Sequence, residues 1–387
     1  MKGEIPVGRL LWGLMGSWAR CGFVFLLLAG LIAPALPAHG SVNPGTWTNM
    51  LPMLSPSHRY NAAMAYDSES DRLILFGGAT NQGDAGDTWA YDLAANAWTN
   101  RAPSPGPAAR HGHAMAYDAG SDRIVMYGGD GSQDVWAYDF NSNAWIQKKD
   151  APLPALFFPA MAYDAASDRT LLFGGDAGYG VGNVNDIWSY DFRTDTWTLE
   201  TPSQKPPARF YDSMAYSAAA HRTIMFGGMF LNDTWSYDSA NASWTRLDTV
   251  GAPDVNYAAS QSFAYDSSAD VFLFYSDGAW AFDLKTNTWG YLAEHAPYPD
   301  VSLYAAFSYD SGSDRLVLFG GVGRSSSSSR NGTWTYDLRA TPGGPGSGPV
   351  GSGLSLWTVP VVAVSAAGAG VLAFVVVRRR KKRKGQT

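Results

Sequence analysis

The stretch RHGHAMAYDAGSDRIVMYGGDGSQDVWAYDFNSNAW, Arg110–Trp145, decides how the rest of the chain is read. Its runs HAMAYD, RIVMYGG, VWAYD and NAW are short and rich in strand-forming residues. AGSD, DGSQ and FNSN separate them and carry the Gly, Asp, Asn and Ser of tight turns. Apolar residues at helical spacing are almost absent, so the segment describes four short antiparallel strands.

The same pattern is written six times. Tyr-Asp or a near equivalent recurs at Tyr66, Tyr117, Tyr163, Tyr216, Tyr265 and Tyr309, at spacings of 51, 46, 53, 49 and 44 residues. A strand ending in Gly-Gly follows at Gly77, Gly128, Gly174, Gly227 and Gly320, with Tyr275-Ser276 standing in for the pair in the fifth unit. Next comes Trp-x-Tyr/Phe-Asp at Trp89, Trp136, Trp188, Trp235, Trp280 and Trp334. A second tryptophan trails the first five units, at Trp98, Trp145, Trp197, Trp244 and Trp289. Units of this length, each too small to bury its own apolar face, describe propeller blades.

The sixth unit lacks its trailing tryptophan, but PGTWTNM (Pro44–Met50) resembles NAWTNRA (Asn96–Ala102). Trp47 is therefore expected to supply the outer strand of the last blade and tie the ring shut, which leaves no long sheet edge unprotected. The expected fold is all-β, a six-bladed propeller over residues 41–340, with large tryptophans filling the wedges between blades.

The Gly-Gly, the Trp-x-Tyr-Asp, the trailing Trp and the Pro-x-x-Arg before some first strands resemble kelch repeats over about Val42–Leu338. That resemblance implies a kelch-type propeller. Such propellers serve as binding modules, cytoskeletal and adhesion proteins and, in a few cases, enzymes, so it does not choose an activity. Galactose-oxidase-like propellers need a cysteine cross-linked to their tyrosine radical. The one cysteine here, Cys21, precedes the repeats, so no copper-radical cofactor is expected. The Glu-x-x-x-Asp-x-x-x-His iron motif of specifier proteins is also missing.

Both ends resemble membrane-handling segments. Lys2, Arg9 and Arg20 precede the apolar run Phe23–Ala38, which closes on small residues as a signal peptide does; residues 1–40 are read as a leader cleaved near Ala38 or Gly40, with an uncleaved N-terminal anchor as the alternative. Residues 341–353 form a Gly/Pro/Ser linker. Leu354–Val377 is 24 residues without a charge, enough to span a bilayer as a transmembrane helix. The basic run Arg378–Lys384 opens the tail 378–387 and places it in the cytoplasm, with the propeller outside the cell.

Of 28 basic and 34 acidic residues, the leader holds three basic and one acidic, and the tail seven basic. The segment between carries 18 against 33, a net charge of about −15. Nucleic acid is therefore excluded as a natural partner; cations, neutral glycans and basic protein surfaces suit this surface better. Three sequons, at Asn232, Asn241 and Asn331, are candidate glycosylation sites.

Let the strands of a blade be a to d from channel to rim. The a–b and c–d turns barely change in length between units. The b–c loops do: ATNQGDAG, DGSQ, DAGYGVGNVN, MFLN, Asp277 and VGRSSSSSRN. Variable loops on a rigid scaffold are where recognition usually resides, so Tyr179 and Asn183 of the DAGYGVGNVN loop are candidate ligand contacts. The start of strand a is expected to form the channel mouth: Arg59, Arg110 and Arg209 seven residues before the repeat Tyr, and His113, Asp212 and Gln261 four before. Those arginines either hold a ligand carboxylate or bond neighbouring loop carbonyls. His111 and His113, at i and i+2, suit two metal ligands, but no carboxylate sits at a spacing that completes the set, and no metal is assigned.

No catalytic motif emerges. The leading expectation is a membrane-anchored binding or adhesion module for a protein or glycan, acting through the variable-loop face. A structural envelope protein that self-associates is one alternative. A channel-mouth enzyme resembling the kelch-like sialate epimerases, with Asp212 and His113 as acid and base, is the other.

Overall fold

The computed structural model describes residues 45–178, 180–254, 262–276, 278–292, 298–300, 303–323 and 330–338. The leader, the linker, the 354–377 segment and the tail lie outside the described residues, as do Tyr179 and Gln261. Among the described residues, no helix is long and apolar enough to cross a membrane.

The described strands form six four-stranded antiparallel sheets and one two-stranded ladder. Blade 1 shows the plan, with strands Ala63–Asp67, Arg72–Phe76, Thr88–Asp92 and Ala97–Asn100 from a to d. The remaining a strands are His113–Asp118, Ala160–Asp164, Asp212–Ser217, Phe263–Asp266 and Ala306–Asp310. Each touches its neighbours in cyclic order, and the last meets the first. Blade 6 takes its d strand from the other end of the chain: Thr46–Asn49 pairs with Thr333–Asp337, placing Trp47 opposite Tyr336. The closure expected from Pro44–Met50 is present.

The apolar core is divided among the six wedges. Ala63, Ala65, Ile74 and Phe76 of blade 1 pack with Met115, Ile124, Met126, Tyr138 and Trp145 of blade 2, while the opposite side chains of blade 1 pack with Ala306, Val317 and Phe319 of blade 6. Alternation along each strand, period two, is what sends successive side chains into different wedges.

The turns explain the repeated polar residues. At the a–b turns, Asp71, Asp122, Asp168, His221, Asp270 and Asp314 all adopt left-handed φ, between 52° and 60°. The repeat tyrosine five residues earlier reaches that position: Tyr163, for example, donates to Asp168 at 2.8 Å and accepts the Gly120 N–H of blade 2 at 3.0 Å. Tyr66 likewise donates to Asp71 and accepts the Gly312 N–H of blade 6. Each such tyrosine therefore secures its own turn and the turn of the preceding blade.

Candidate functional site

The arginines at the start of strand a are built into a lock. Arg59, Arg110 and Arg209 are 1–2% exposed. Each guanidinium forks onto a carboxylate of its own blade, Asp87, Asp134 and Asp233, with closest approaches of 2.6, 2.5 and 2.6 Å. Each also donates to the carbonyl of the first repeat glycine, Gly77, Gly128 or Gly227. The indoles of Trp89, Trp136 and Trp235 donate to the same carboxylates. These bidentate pairs hold Asp87 and Asp233 below the usual carboxylate range and bring Asp134 to about 2, against the upward push of burial. Of the two roles open to the arginines, the structure shows the internal one: all five guanidinium donors of Arg59 and four each of Arg110 and Arg209 are held by the protein itself.

His113 and Asp212 occupy equivalent places but different wedges. The His113 imidazole packs against Phe76, with ring centroids 5.5 Å apart, and faces Gly77 of blade 1. Burial, helped by the Arg110 charge, depresses it to about 3, so it is neutral at physiological pH. Asp212 faces Gly174 of blade 3, and its carboxyl oxygens have no hydrogen-bond partner among the described residues. Burial raises it to about 8, with Arg209 opposing. The pair is thus split between the blade 1–2 and blade 3–4 wedges, and no joint acid–base site forms.

A central cavity of about 360 Å³ runs along the a strands of all six blades. Its wall includes the six repeat tyrosines and the a–b turn residues Ser68, Ala119, Ala165, Ser267 and Ser311. Of the candidate residues at the start of strand a, Asp212 lines this cavity and Arg59, Arg110, His113 and Arg209 do not. The cavity extends along strand a as far as the a–b turns, and of the residues expected at a channel mouth it takes in Asp212 alone.

The b–c face has a different centre. Five residues before the repeat tyrosines stand Asn61, Gly112, Phe158, Tyr211 and Tyr304, all with left-handed φ from 54° to 66°. Their backbones form a hydrogen-bonded chain from blade to blade: Asn61 N–H donates to Tyr304, Gly112 to Asn61, Phe158 to Gly112 and Tyr211 to Phe158, at 2.7–3.1 Å. The side chains project a half-buried aromatic platform. Phe158 and Tyr211 stack at 4.0 Å; Phe210 lies 4.8 Å and Tyr304 5.5 Å from Tyr211; Tyr60 is 6.3 Å from Tyr304. Gly112 has no room for a side chain there, because a Cβ would stand 2.6 Å from the Phe158 ring.

The loops around this platform are apolar as well. Val181, Met229 and Phe230 on b–c loops, and Leu51, Met53, Leu54 and Tyr298 on d–a connections, are exposed, whereas the exposed Val250 lies outward, where it exchanges backbone hydrogen bonds with Asn287 and Trp289 at the start of strand d of blade 5. The other exposed large apolar side chains, Ile146, Leu199 and Tyr291, belong to rim strands. Among the described residues the a–b and c–d turns carry none. Asn183 is exposed on the blade 3 loop, where it bridges Asp176. A second cavity, about 400 Å³, lies on the same face beside Leu51, Pro52, Arg330 and Trp334. The platform was invisible to a comparison of the positions four and seven residues before the tyrosine; aligning the units at five and six residues before it, where Tyr60, Phe157, Phe158, Phe210, Tyr211 and Tyr304 fall, reveals it.

Comparison with known proteins agrees with this architecture. Residues 41–149 and 100–274 match the KLHDC2/KLHL20/DRC7 Kelch-repeats domain. The human protein "Multiple epidermal growth factor-like domains protein 8" is 30% identical over 197 residues, which is 44% of this chain and 6% of that protein. The similarity thus spans a small part of that relative's length. With the family match covering more than half of the sequence and its repeats closed into six blades, the chain belongs to the kelch-repeat propellers.

Proposed function

We propose that this propeller is a protein-binding module at the cell surface, and that it engages its partner with the b–c face, the platform of Tyr60, Phe158, Phe210, Tyr211 and Tyr304 at the centre and the variable loops around it. The observation that carries this reading is the distribution of exposed apolar side chains, which gather on that face and on the rim and leave the a–b and c–d turns polar. Aromatic anchors encircled by polar or mobile contacts are the recurrent make-up of binding hot spots. A kelch propeller is a suitable scaffold for such a module. The net negative charge of the segment between leader and tail favours a partner surface with basic groups at its rim.

Anchoring is part of the same proposal. The leader at 1–40 exports the propeller, Leu354–Val377 holds it in the membrane, and the basic tail stays in the cytoplasm. Epitope tags placed at Ser41 and after Thr387, stained on intact and permeabilised cells, test the orientation: the first tag alone should be visible on intact cells.

An array of surface proteins and glycans probed with the soluble segment Ser41–Arg339 tests the function. Binding to a protein that falls at least tenfold in Phe158→Ala and Tyr211→Ala, and not in Ile146→Ala on the rim, is the expected outcome. Binding confined to glycans would replace the protein partner with a sugar ring stacked on the same platform. Self-association alone would favour the structural role in the envelope, and turnover abolished by Asp212→Asn would favour a channel enzyme.

A further inference from the structure

Beside the platform, the loops of blades 1 and 2 bring together three groups that the binding reading leaves unused. Asp84 belongs to the small ladder Ala79–Thr80/Gly83–Asp84 in the blade 1 b–c loop, where it pairs with Ala79, so its backbone is fixed. His111 opens blade 2, and its Nδ1 lies 3.0 Å from both carboxylate oxygens of Asp84. The His111 ring leans on Phe157 and Phe158, at 6.3 and 6.2 Å between centroids, which holds its plane. Asp130 follows the Gly-Gly of blade 2 in a left-handed conformation, in a turn closed by the Ser132 N–H on the Gly129 carbonyl. One ligand atom from each of Asp84, His111 and Asp130 lies within 4.8 Å of the others.

The charges of this cluster are unbalanced in a way its neighbours are not. Asp87, Asp134, Asp186 and Asp233, which precede the c strands, each face an arginine or lysine. Neither Asp84 nor Asp130 has an arginine or lysine within ion-pair distance among the described residues; a single imidazole stands with them. Two carboxylates converging on one point repel each other unless a cation sits between them. The carboxylates that sequence spacing did not supply to His111 arrive through the fold, from the preceding blade's loop and from beyond strand b.

We propose that Asp84, His111 and Asp130 bind one divalent first-row transition-metal ion, of the zinc or manganese class, which staples the b–c loops of blades 1 and 2 at the edge of the platform. One imidazole nitrogen with two carboxylates suits such an ion, whereas calcium and magnesium favour all-oxygen shells. Three protein ligands leave further positions to water. The site stands independently of whether the platform engages a protein.

The test uses the full chain, free of any histidine tag, stripped with a chelator and titrated with zinc, manganese or calcium chloride by calorimetry and thermal unfolding. Expected are one equivalent of zinc or manganese per chain and a midpoint raised by about 3–5 °C at an ion concentration roughly 100-fold above Kd. Asp130→Asn should weaken that binding at least tenfold while leaving the metal-free midpoint unchanged, since Asp130 is an exposed loop residue. His111→Asn should weaken binding to a similar degree, and X-ray absorption of the zinc form should show mixed nitrogen and oxygen ligation with one imidazole. No saturable binding, binding unaltered by Asp130→Asn, or tighter binding of calcium than of zinc and manganese would overturn the assignment.

Discussion

Replacing Thr88 by Val and Val135 by Thr should shift stability in opposite directions. The reason lies in the wedges between blades. Trp98, Trp145 and Trp289 each donate their indole N–H to a threonine at the start of the preceding blade's c strand: Thr333 at 2.9 Å, Thr88 at 2.9 Å and Thr234 at 3.2 Å. In the other three wedges that place is held by Val135, Ile187 and Ala279, which pack in the same clusters as Trp197, Trp244 and Trp47. The indole nitrogens of those three tryptophans are buried without a hydrogen-bond partner among the described residues. Three wedges have an acceptor and three do not, and one side chain decides which.

Thr88 is 1% exposed, so Thr88→Val removes a buried acceptor with almost no change of shape and strands the Trp145 N–H. The expected cost is about 1–3 kcal/mol, the range for leaving one buried donor unsatisfied. Val135→Thr does the reverse: the Trp197 N–H is already desolvated, so a hydroxyl within reach recovers about 1 kcal/mol. Urea unfolding followed by tryptophan fluorescence measures both, as shifts of the midpoint at constant slope. A Val135→Thr protein as destabilised as Thr88→Val would refute the reasoning, because it would mean that burying the hydroxyl outweighs satisfying the indole. A double-mutant cycle with Trp145→Phe isolates the pair: Thr88→Val should cost little once the indole N–H is gone.

The remaining predictions concern single buried groups. Asp212, raised to about 8 in the folded protein, binds a proton that the unfolded chain has released above pH 4; stability should fall as pH rises from about 4 to 8, and Asp212→Asn should flatten that slope in midpoint-versus-pH curves. His113 has the opposite sign, since the unfolded imidazole takes up a proton below pH 6.5 while the folded one waits until about 3. Acid should therefore destabilise the wild type across that window by one proton more than it does His113→Gln, read from the same curves. Tyr163→Phe removes both the donation to Asp168 and the acceptance from Gly120, and should cost about 1–2 kcal/mol in urea unfolding with the blade 2 turn exchanging its amide hydrogens faster. An unchanged Gly120 exchange rate would break the link between neighbouring turns.

Much of the architecture was legible because the repeated residues do structural work in every blade. Gly-Gly, Trp and Tyr-Asp recur at fixed offsets, and Trp47 at the far end of the chain completes the count; the pairing of Thr46–Asn49 with Thr333–Asp337 follows from that register. The Arg-Asp-Gly lock was half legible. Arg59, Arg110 and Arg209 stood out by position, but their Asp partners lie 24 or 28 residues away, across the variable loop whose length obscures the match. The Asp84–His111 contact was not legible at all, since it joins two blades and no local spacing encodes it. The aromatic platform escaped for a related reason: it rests on rings and left-handed backbone at Asn61, Gly112, Phe158, Tyr211 and Tyr304, where side-chain identity changes from blade to blade while backbone geometry persists.

That contrast accounts for the unequal faces of the ring. On the a–b and c–d side, each turn is tied at several points. Asp67, Asp118, Asp164, Asp266 and Asp310 accept turn N–H groups, and the repeat tyrosines bridge to adjacent blades. Arg72, Arg123, Arg169, Arg222 and Arg315 pair with the Asp that ends strand c. An insertion in one such turn would break bonds in two blades, so uniform length follows from closure alone. The b–c loops are tied near their bases, by the Arg lock and by backbone pairs such as Tyr60–Ala79, Phe157–Asp176 and Leu303–Val322, and these ties leave the length of the loop beyond them open. The loops are free to vary, and freedom by itself would leave them polar and solvated. Their exposed Val181, Met229 and Phe230, set around a half-buried aromatic centre, carry a cost of apolar hydration in water that a free loop has no need to bear and that burial against a partner surface would relieve.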